Sequence, residues 1–133
     1  MKALNWDKLL SVQVDEVDDD HRRLVELFNI LIRSVDDGDS PEYIEAVLEE
    51  LISCTIWHFH HEERLMLKYD YESREEHKTE HHELLASAVE LKQKFLRDGK
   101  ALSVEDIEFL ERWLTGHILT SDMKMGSFLC EVM

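Results

Sequence analysis

The chain has 133 residues, of which 30 are acidic and 15 are basic, so its formal net charge at pH 7 is −15. This charge argues against binding to nucleic acids or anionic membrane surfaces, since both require a basic face. The length favours a single domain over residues 1–133. With four glycines, one proline, no signal-peptide pattern and no membrane-spanning run, we expect an all-α protein of the cytoplasm.

An extended N-terminal arm and four amphipathic helices are predicted along the chain. The arm covers residues 1–17, which lack helical periodicity. The helices cover about residues 18–37, 41–69, 74–98 and 104–123. Aspartate or serine precedes or begins each predicted helix, and Gly38 and Gly99 mark two of the ends. The fourth helix is expected to end before Gly126. Short connections between such helices favour an antiparallel up-down-up-down four-helix bundle.

Polar side chains interrupt the apolar face of the second predicted helix. His58 and Glu62 stand four residues apart on a stripe that also contains Leu51, Thr55 and Leu65. An H-x-x-x-E pair is common by chance and is usually solvated. On a face that packs into the core, however, an unpaired carboxylate is costly to bury. A metal ion is the simplest partner for this pair.

The directions of the helices place five inward histidines at one end of the bundle. His21 lies at the start of the first helix, and His77 and His81 lie at the start of the third. His58 and His117 lie toward the ends of the second and fourth helices. One inward histidine is usually satisfied by a backbone hydrogen bond, but five in one layer bring too many donors and acceptors for that. We therefore predict a metal site in this layer.

The remaining histidines and both cysteines have simpler interpretations. His60 and His82 point away from the apolar stripes and are expected to be solvated. His61 lies at the edge of a stripe, where either a surface position or a supporting role beside the ligands is open. Cys54 and Cys130 are far apart and are expected to be free thiols.

Asp122 follows His117 by five residues, a spacing that turns the two side chains apart on a regular helix. Either Asp122 is a surface residue at a fraying helix end, or the helix is locally wider there, as π-turns at functional sites are. The spacing alone leaves both interpretations open.

Together these residues resemble the ligand pattern of the hemerythrin family. The pattern consists of His21, His58-x-x-x-Glu62, His77-x-x-x-His81 and His117-x-x-x-x-Asp122. Its surroundings resemble the single-domain bacterial form of the family. The residues that carry this likeness are Trp6, the aspartates before His21, Phe59, Glu63, Met66, Trp113-Leu114 and Ile118. The resemblance extends over essentially the whole chain, with no ligand missing.

The resemblance implies a non-haem centre of two iron ions, joined by an oxo or hydroxo bridge. The implied ligands of one iron are His77, His81 and His117. Those of the other are His21 and His58, and the implied bridging carboxylates are Glu62 and Asp122. Counting these ligands leaves one coordination position open, on the iron that has two histidines. The resemblance settles the alternatives for Asp122 in favour of a ligand.

Around the open position, the resemblance and the helical offsets indicate an apolar oxygen pocket. Its expected members are Leu24, Phe59, Trp113, Leu114 and Ile118. We expect a monomeric, non-catalytic protein that binds dioxygen reversibly, for transport, storage or delivery, with an oxygen-consuming enzyme as a candidate recipient. Oxygen or redox sensing and a diiron oxidase are the alternatives. The histidine-rich ligand set disfavours the oxidase, and the lack of residues for a signalling module disfavours the sensor.

Overall fold

Four long helices, the last one containing a π-helical segment, form the computed structural model, which describes residues 3–4 and 10–133. The helices are α1 (Asp15–Asp36), α2 (Pro41–Lys68), α3 (Arg74–Arg97), α4 (Val104–His117), the π segment (Ile118–Asp122) and α5 (Met123–Val132). The described residues contain no β-strand. The predicted all-α four-helix bundle is confirmed. Trp6, expected in the arm, lies outside the described residues.

Local signals explain two of the helix starts. The Ser40 side chain accepts a hydrogen bond from the backbone N–H of Tyr43, and Pro41 occupies the first turn of α2, where its missing N–H costs nothing. Ser103 and Asp106 form a reciprocal capping box at the start of α4. These bonds set where each helix begins and hence which face it turns toward the core.

The first helix begins at Asp15 rather than at residue 18, because Asp18 does not act as its cap. The Asp18 carboxylate is buried and accepts hydrogen bonds from the backbone N–H of Val12 and the hydroxyl of Ser11. Asp18 therefore holds the arm against the bundle. The arm is further fixed at Leu4, whose backbone N–H and C=O both bond to the side chain of Asn29.

The prediction that the fourth helix ends near residue 123, before Gly126, is wrong. The helix continues without interruption through Gly126 to Val132. Gly126 allows a close approach rather than a stop, since a Cβ atom there would lie 2.7 Å from the Cβ of Val12. Packing of the arm against this helical turn therefore requires the glycine.

The core fills the space between the four helices, and the site lies at one end of it. The largest fully buried side chains include Phe28, Leu48 and Phe95. The antiparallel order brings together the start of α1, the end of α2, the start of α3 and the end of α4. Within the described part of the chain, no helix is both long and apolar enough to span a membrane.

Candidate metal centre

All seven predicted ligand side chains meet in one buried cluster at that end of the bundle. The exposed fraction of every one of them is 6% or less. The members of the cluster are His21, His58, Glu62, His77, His81, His117 and Asp122. Residues that are far apart in sequence thus supply five imidazoles and two carboxylates to a space from which water is excluded.

One side of the cluster is built from two histidines. The Nε2 atom of His21 lies 3.4 Å from Oε2 of Glu62 and 2.9 Å from Oδ2 of Asp122. The Nε2 atom of His58 lies 3.0 Å from the same Oε2 of Glu62. These four atoms define a first subsite with one oxygen from each carboxylate.

The other side of the cluster is built from three histidines. Oε1 of Glu62 lies 2.9 Å from Nε2 of His81 and 3.4 Å from Nε2 of His77. Oδ1 of Asp122 lies 3.0 Å from Nε2 of His77 and 2.9 Å from Nε2 of His117. Each carboxylate therefore directs one oxygen to each subsite, which is the arrangement that bridges two cations.

The π segment brings Asp122 into this cluster. Ile118–Asp122 is wound as a π-helix, so five residues make about one turn and Asp122 returns to the face of His117. Asp122 is fully buried, which rules out the surface interpretation of this residue. Of the two interpretations that the five-residue spacing allowed, the structure therefore shows the π turn.

The unpartnered atoms of the cluster fit a pair of cations. Within residues 3–4 and 10–133, the Nε2 atoms of all five histidines and all four oxygens of Glu62 and Asp122 are buried without a hydrogen-bond partner. Their N···O separations are short, yet the atoms are not directed at one another as hydrogen bonds require. Buried polar groups are normally satisfied, and imidazole nitrogens with carboxylate oxygens are the donors that iron prefers. The residues present therefore fit metal binding.

Carboxylates outside the cluster hold two of the histidines by their other nitrogen. Oδ2 of Asp20 lies 2.8 Å from Nδ1 of His58. Oε2 of Glu63 lies 2.8 Å from Nδ1 of His81. Such a bond keeps the proton on Nδ1 and leaves Nε2 free to bind a metal.

Glu80 supports a third histidine in the same manner. Its Oε1 lies 2.6 Å from Nδ1 of His117, and its other oxygen accepts a hydrogen bond from Ser121. Neither Glu80 nor Asp20 was predicted as part of the site. The sequence does contain a signal that could have identified them, because each acid directly precedes a predicted ligand, Asp20 before His21 and Glu80 before His81.

His61, whose role was open, belongs to this supporting layer. It is buried, and its Nδ1 lies 2.5 Å from the same oxygen of Asp20 that bonds to His58. His60 and His82 are exposed, as expected. Cys54 and Cys130 are free thiols.

The buried charges shift the pKa values of the ligand side chains. Burial lowers the pKa of His58, but the charge of Glu62 and the hydrogen bond to Asp20 raise it to about 10. Burial likewise lowers the pKa of His77, and the carboxylates of Asp122 and Glu62 raise it to about 9. Burial raises the pKa of Glu62, but His58 and His21 outweigh it and hold that pKa well below its usual range. Without a metal, protons on histidines therefore balance the ionised carboxylates.

An apolar cavity adjoins the cluster and is lined by both histidines of the two-histidine subsite, by Asp122 and by one histidine of the other subsite, His117. All five predicted pocket residues line it, together with two that were not predicted, Thr55 and Leu84. The space open to a water-sized molecule is about 10 Å³, the lower limit for holding one such molecule. The Thr55 hydroxyl donates to the backbone of Leu51, and the Trp113 indole N–H donates to the backbone of Leu84. Both of these polar donors are thus already used.

Comparisons with known proteins agree with this geometry. A family model described as the hemerythrin HHE cation binding domain matches residues 12–129. A bacteriohemerythrin of Pseudomonas aeruginosa is 32% identical over 122 residues, covering 92% of this chain and 78% of that protein. A hemerythrin-like protein of Naegleria gruberi is 30% identical over 125 residues, covering 94% of this chain and 92% of that protein.

The fold agrees equally well with a solved structure. A crystal structure of wild-type hemerythrin has a TM-score of 0.86 at 28% identity, covering 97% of this chain and 99% of that chain. The family match spans most of the chain and includes all seven residues of the cluster. The chain therefore belongs to the hemerythrin family of oxygen-binding, non-haem iron proteins.

Proposed function

We propose that this protein binds dioxygen reversibly at a centre of two iron ions, for the transport, storage or delivery of oxygen. The observation that carries the proposal is the unequal pair of subsites with a small apolar cavity beside one of them. Three histidines and two carboxylate oxygens leave little room for a further ligand. The two-histidine subsite has the cavity beside it and can take an exogenous diatomic molecule.

The roles of the ligands follow from the two subsites. His77, His81 and His117 would hold one iron, and His21 and His58 the other. Glu62 and Asp122 would bridge the ions, together with an oxo or hydroxo group. When bound, the iron pair supplies the two electrons that reversible oxygen binding requires.

The surrounding residues hold the ligands and keep the cavity dry. Asp20, Glu63 and Glu80 orient three imidazoles with the proton on Nδ1. Leu114 and Ile118 are buried in the cavity wall and exclude water. The Thr55 hydroxyl and the Trp113 indole N–H are not available to deliver a proton, since both already bond to the backbone. This arrangement favours release of unchanged oxygen over its reduction, and hence a carrier over an oxidase.

Anaerobic loading with ferrous iron, followed by elemental analysis and optical oxygen titration, tests the proposal. We expect two irons per chain and an oxygenated absorption band that disappears and returns over repeated deoxygenation. His58→Ala should lose iron, whereas His60→Ala, which changes an exposed histidine two residues away, should keep it. A single iron per chain in the wild type would contradict the diiron centre. Steady oxygen consumption with excess reductant would contradict the carrier function.

We further propose that the protein acts as a monomer and passes its oxygen to an oxygen-consuming enzyme. The net charge of −15 opposes self-association through mutual repulsion. Light scattering at low and high salt measures the molecular mass. A stable dimer at low salt would contradict the monomer.

A further inference from the structure

We propose that Trp57, with the buried His61 against its ring, forms an electron-entry surface at which a basic, one-electron donor protein docks and returns ferric iron to the ferrous state. The inference rests on the proposed iron centre and adds to it a partner and a point of contact. Trp57 directly precedes the proposed ligand His58 and is 61% exposed. A single exposed apolar residue needs no explanation by itself, so the inference depends on what Trp57 contacts.

A short chain of contacts connects Trp57 to the metal cluster. The centroid of its ring lies 5.5 Å from that of His61. Nδ1 of His61 lies 2.5 Å from Oδ2 of Asp20, and that oxygen lies 2.8 Å from Nδ1 of His58. The Nε2 atom of His58 faces the two-histidine subsite. One ring contact and two hydrogen bonds thus lead from an exposed indole to a proposed iron ligand.

Trp57 combines exposure with a position next to the metal cluster, which the exposed aromatic side chain of Tyr43 lacks. Tyr43 is the other aromatic side chain that is at least half exposed among the described residues. It lies in the first turn of α2, roughly 20 Å from Trp57 along the helix at 1.5 Å per residue. Tyr43 therefore provides a matched control for exposure and aromatic character without proximity to the centre.

Acidic side chains around this surface define the charge of the partner. Oε1 of Glu16 lies 3.6 Å from Nε2 of His61, and the Glu16 side chain is 47% exposed. Asp15, at the same end of α1, is also exposed. On a protein with a net charge of −15, an exposed indole with the Glu16 carboxylate against the adjoining His61 complements an apolar patch surrounded by lysine or arginine.

The redox step balances for a one-electron donor. In each encounter, the donor's cofactor loses one electron and one ferric ion of the pair becomes ferrous. Two encounters would restore the diferrous centre, which is the form that binds oxygen, and one proton from solvent would convert an oxo bridge into a hydroxo bridge. The surface would thus reverse spontaneous oxidation of the carrier without opening the oxygen cavity to a reductant.

Reduction kinetics of the iron-loaded protein test the electron path. The ferric protein is mixed with hexaammineruthenium(II), a cationic one-electron reductant, and the rate of reduction is followed optically. We expect Trp57→Leu to lower the second-order rate constant by about tenfold, and Glu16→Gln to lower both the rate constant and its salt dependence. Tyr43→Leu should match the wild type.

Docking is tested separately with zinc in place of iron, so that no redox reaction contributes. Reduced cytochrome c serves as a basic haem-protein probe. NMR titration follows the indole N–H of Trp57 in the variants that retain it, and the backbone N–H signals of the last turns of α2 in every variant. We expect these signals to shift on addition of the probe, and Trp57→Leu and Glu16→Gln to weaken binding, with no loss in Tyr43→Leu. Equal binding and equal reduction rates in all variants would overturn the inference while leaving reversible oxygen binding intact. Failure of the wild type to bind iron would overturn both the electron-entry surface and the proposed oxygen-binding function.

Discussion

Substitution of Ile118 by alanine isolates the contribution of the apolar cavity, because it changes the cavity wall and leaves every proposed ligand in place. Ile118 is 1% exposed, follows His117 directly and lines the cavity. The matched control is Leu110→Ala. Leu110 is 2% exposed in the same helix, about two turns before Ile118, and lies among the core residues rather than at the cavity.

Both substitutions should destabilise the fold to a similar extent. Truncation of a buried leucine or isoleucine to alanine costs roughly 2–5 kcal/mol. At this chain length, each kcal/mol lowers the melting temperature by about 3–5 °C. Only Ile118→Ala, however, enlarges the space of about 10 Å³ beside the two-histidine subsite. The three carbon atoms removed occupy more than the ~30 Å³ that one water occupies in the liquid, so the enlarged cavity can hold water.

The assay is the decay of the oxygenated absorption band to the ferric form, in air-saturated buffer below both melting temperatures. We expect Ile118→Ala to bind oxygen but to decay severalfold faster than the wild type, because water reaches the site. Leu110→Ala should decay at the wild-type rate despite its lower melting temperature. Equal acceleration in both variants would attribute the decay to lost stability, and no acceleration in either would refute the protective role of the wall.

Three further predictions concern the bridge, the charge balance and the arm. Glu62→Ala removes one oxygen from each subsite, so elemental analysis should find fewer than two irons per chain; full occupancy would contradict the bridge. In the metal-free protein, His58 and His77 have pKa values of about 10 and about 9, above the ordinary ~6.5. Their protonation therefore stabilises the fold fully below pH ~6.5. This stabilisation declines as the pH rises above that value and is lost once the pH has passed through about 9 and about 10, the pKa values of the folded protein. The urea midpoint of the metal-free protein should fall as the pH rises from ~6.5 to about 10. A constant midpoint would argue against protonated histidines balancing the buried carboxylates. Gly126→Ala should lower the melting temperature by displacing the arm, whereas Gly116→Ala, with nothing within 4 Å of its added Cβ, should raise or preserve it; the same change in both would contradict the close approach.

Helical periodicity was sufficient to predict the four helices and the meeting of five histidines. Each histidine lies on an apolar stripe, and the alternating directions of the helices bring these positions to one end. The helix ends were less predictable because their signals are ambiguous. Asp18 looks like a cap but bonds to the arm, and Gly126 looks like a stop but permits a close contact. Both roles depend on residues 10–14, whose position no local pattern reveals.

Two parts of the site required the structure. The spacing of His117 and Asp122 was compatible with a surface aspartate or with a π turn. The family resemblance favoured a ligand, and the π winding of Ile118–Asp122 shows how the helix brings Asp122 to the face of His117. The supporting carboxylates were missed because their partners lie on other helices. Asp20 and His58 are 38 residues apart, and Glu80 and His117 are 37 apart. Contacts over such separations follow from helix packing, and the sequence shows only that each acid adjoins a predicted ligand.

The supporting carboxylates follow a regular order around the bundle. Asp20 of α1 supports a histidine of α2, Glu63 of α2 supports one of α3, and Glu80 of α3 supports one of α4. Each of these acids is the immediate neighbour of a cluster residue on its own helix.

Adjacent residues on a helix are separated by about 100°, so a side chain next to one that faces the centre faces the neighbouring helix. Each of the first three helices therefore places one or two groups in the cluster and holds a histidine of the next helix. A slip of any one of them by a single turn would remove a group from the cluster and a support from its neighbour at once. The register of the bundle and the geometry of the metal centre are thus specified by the same few pairs of adjacent residues.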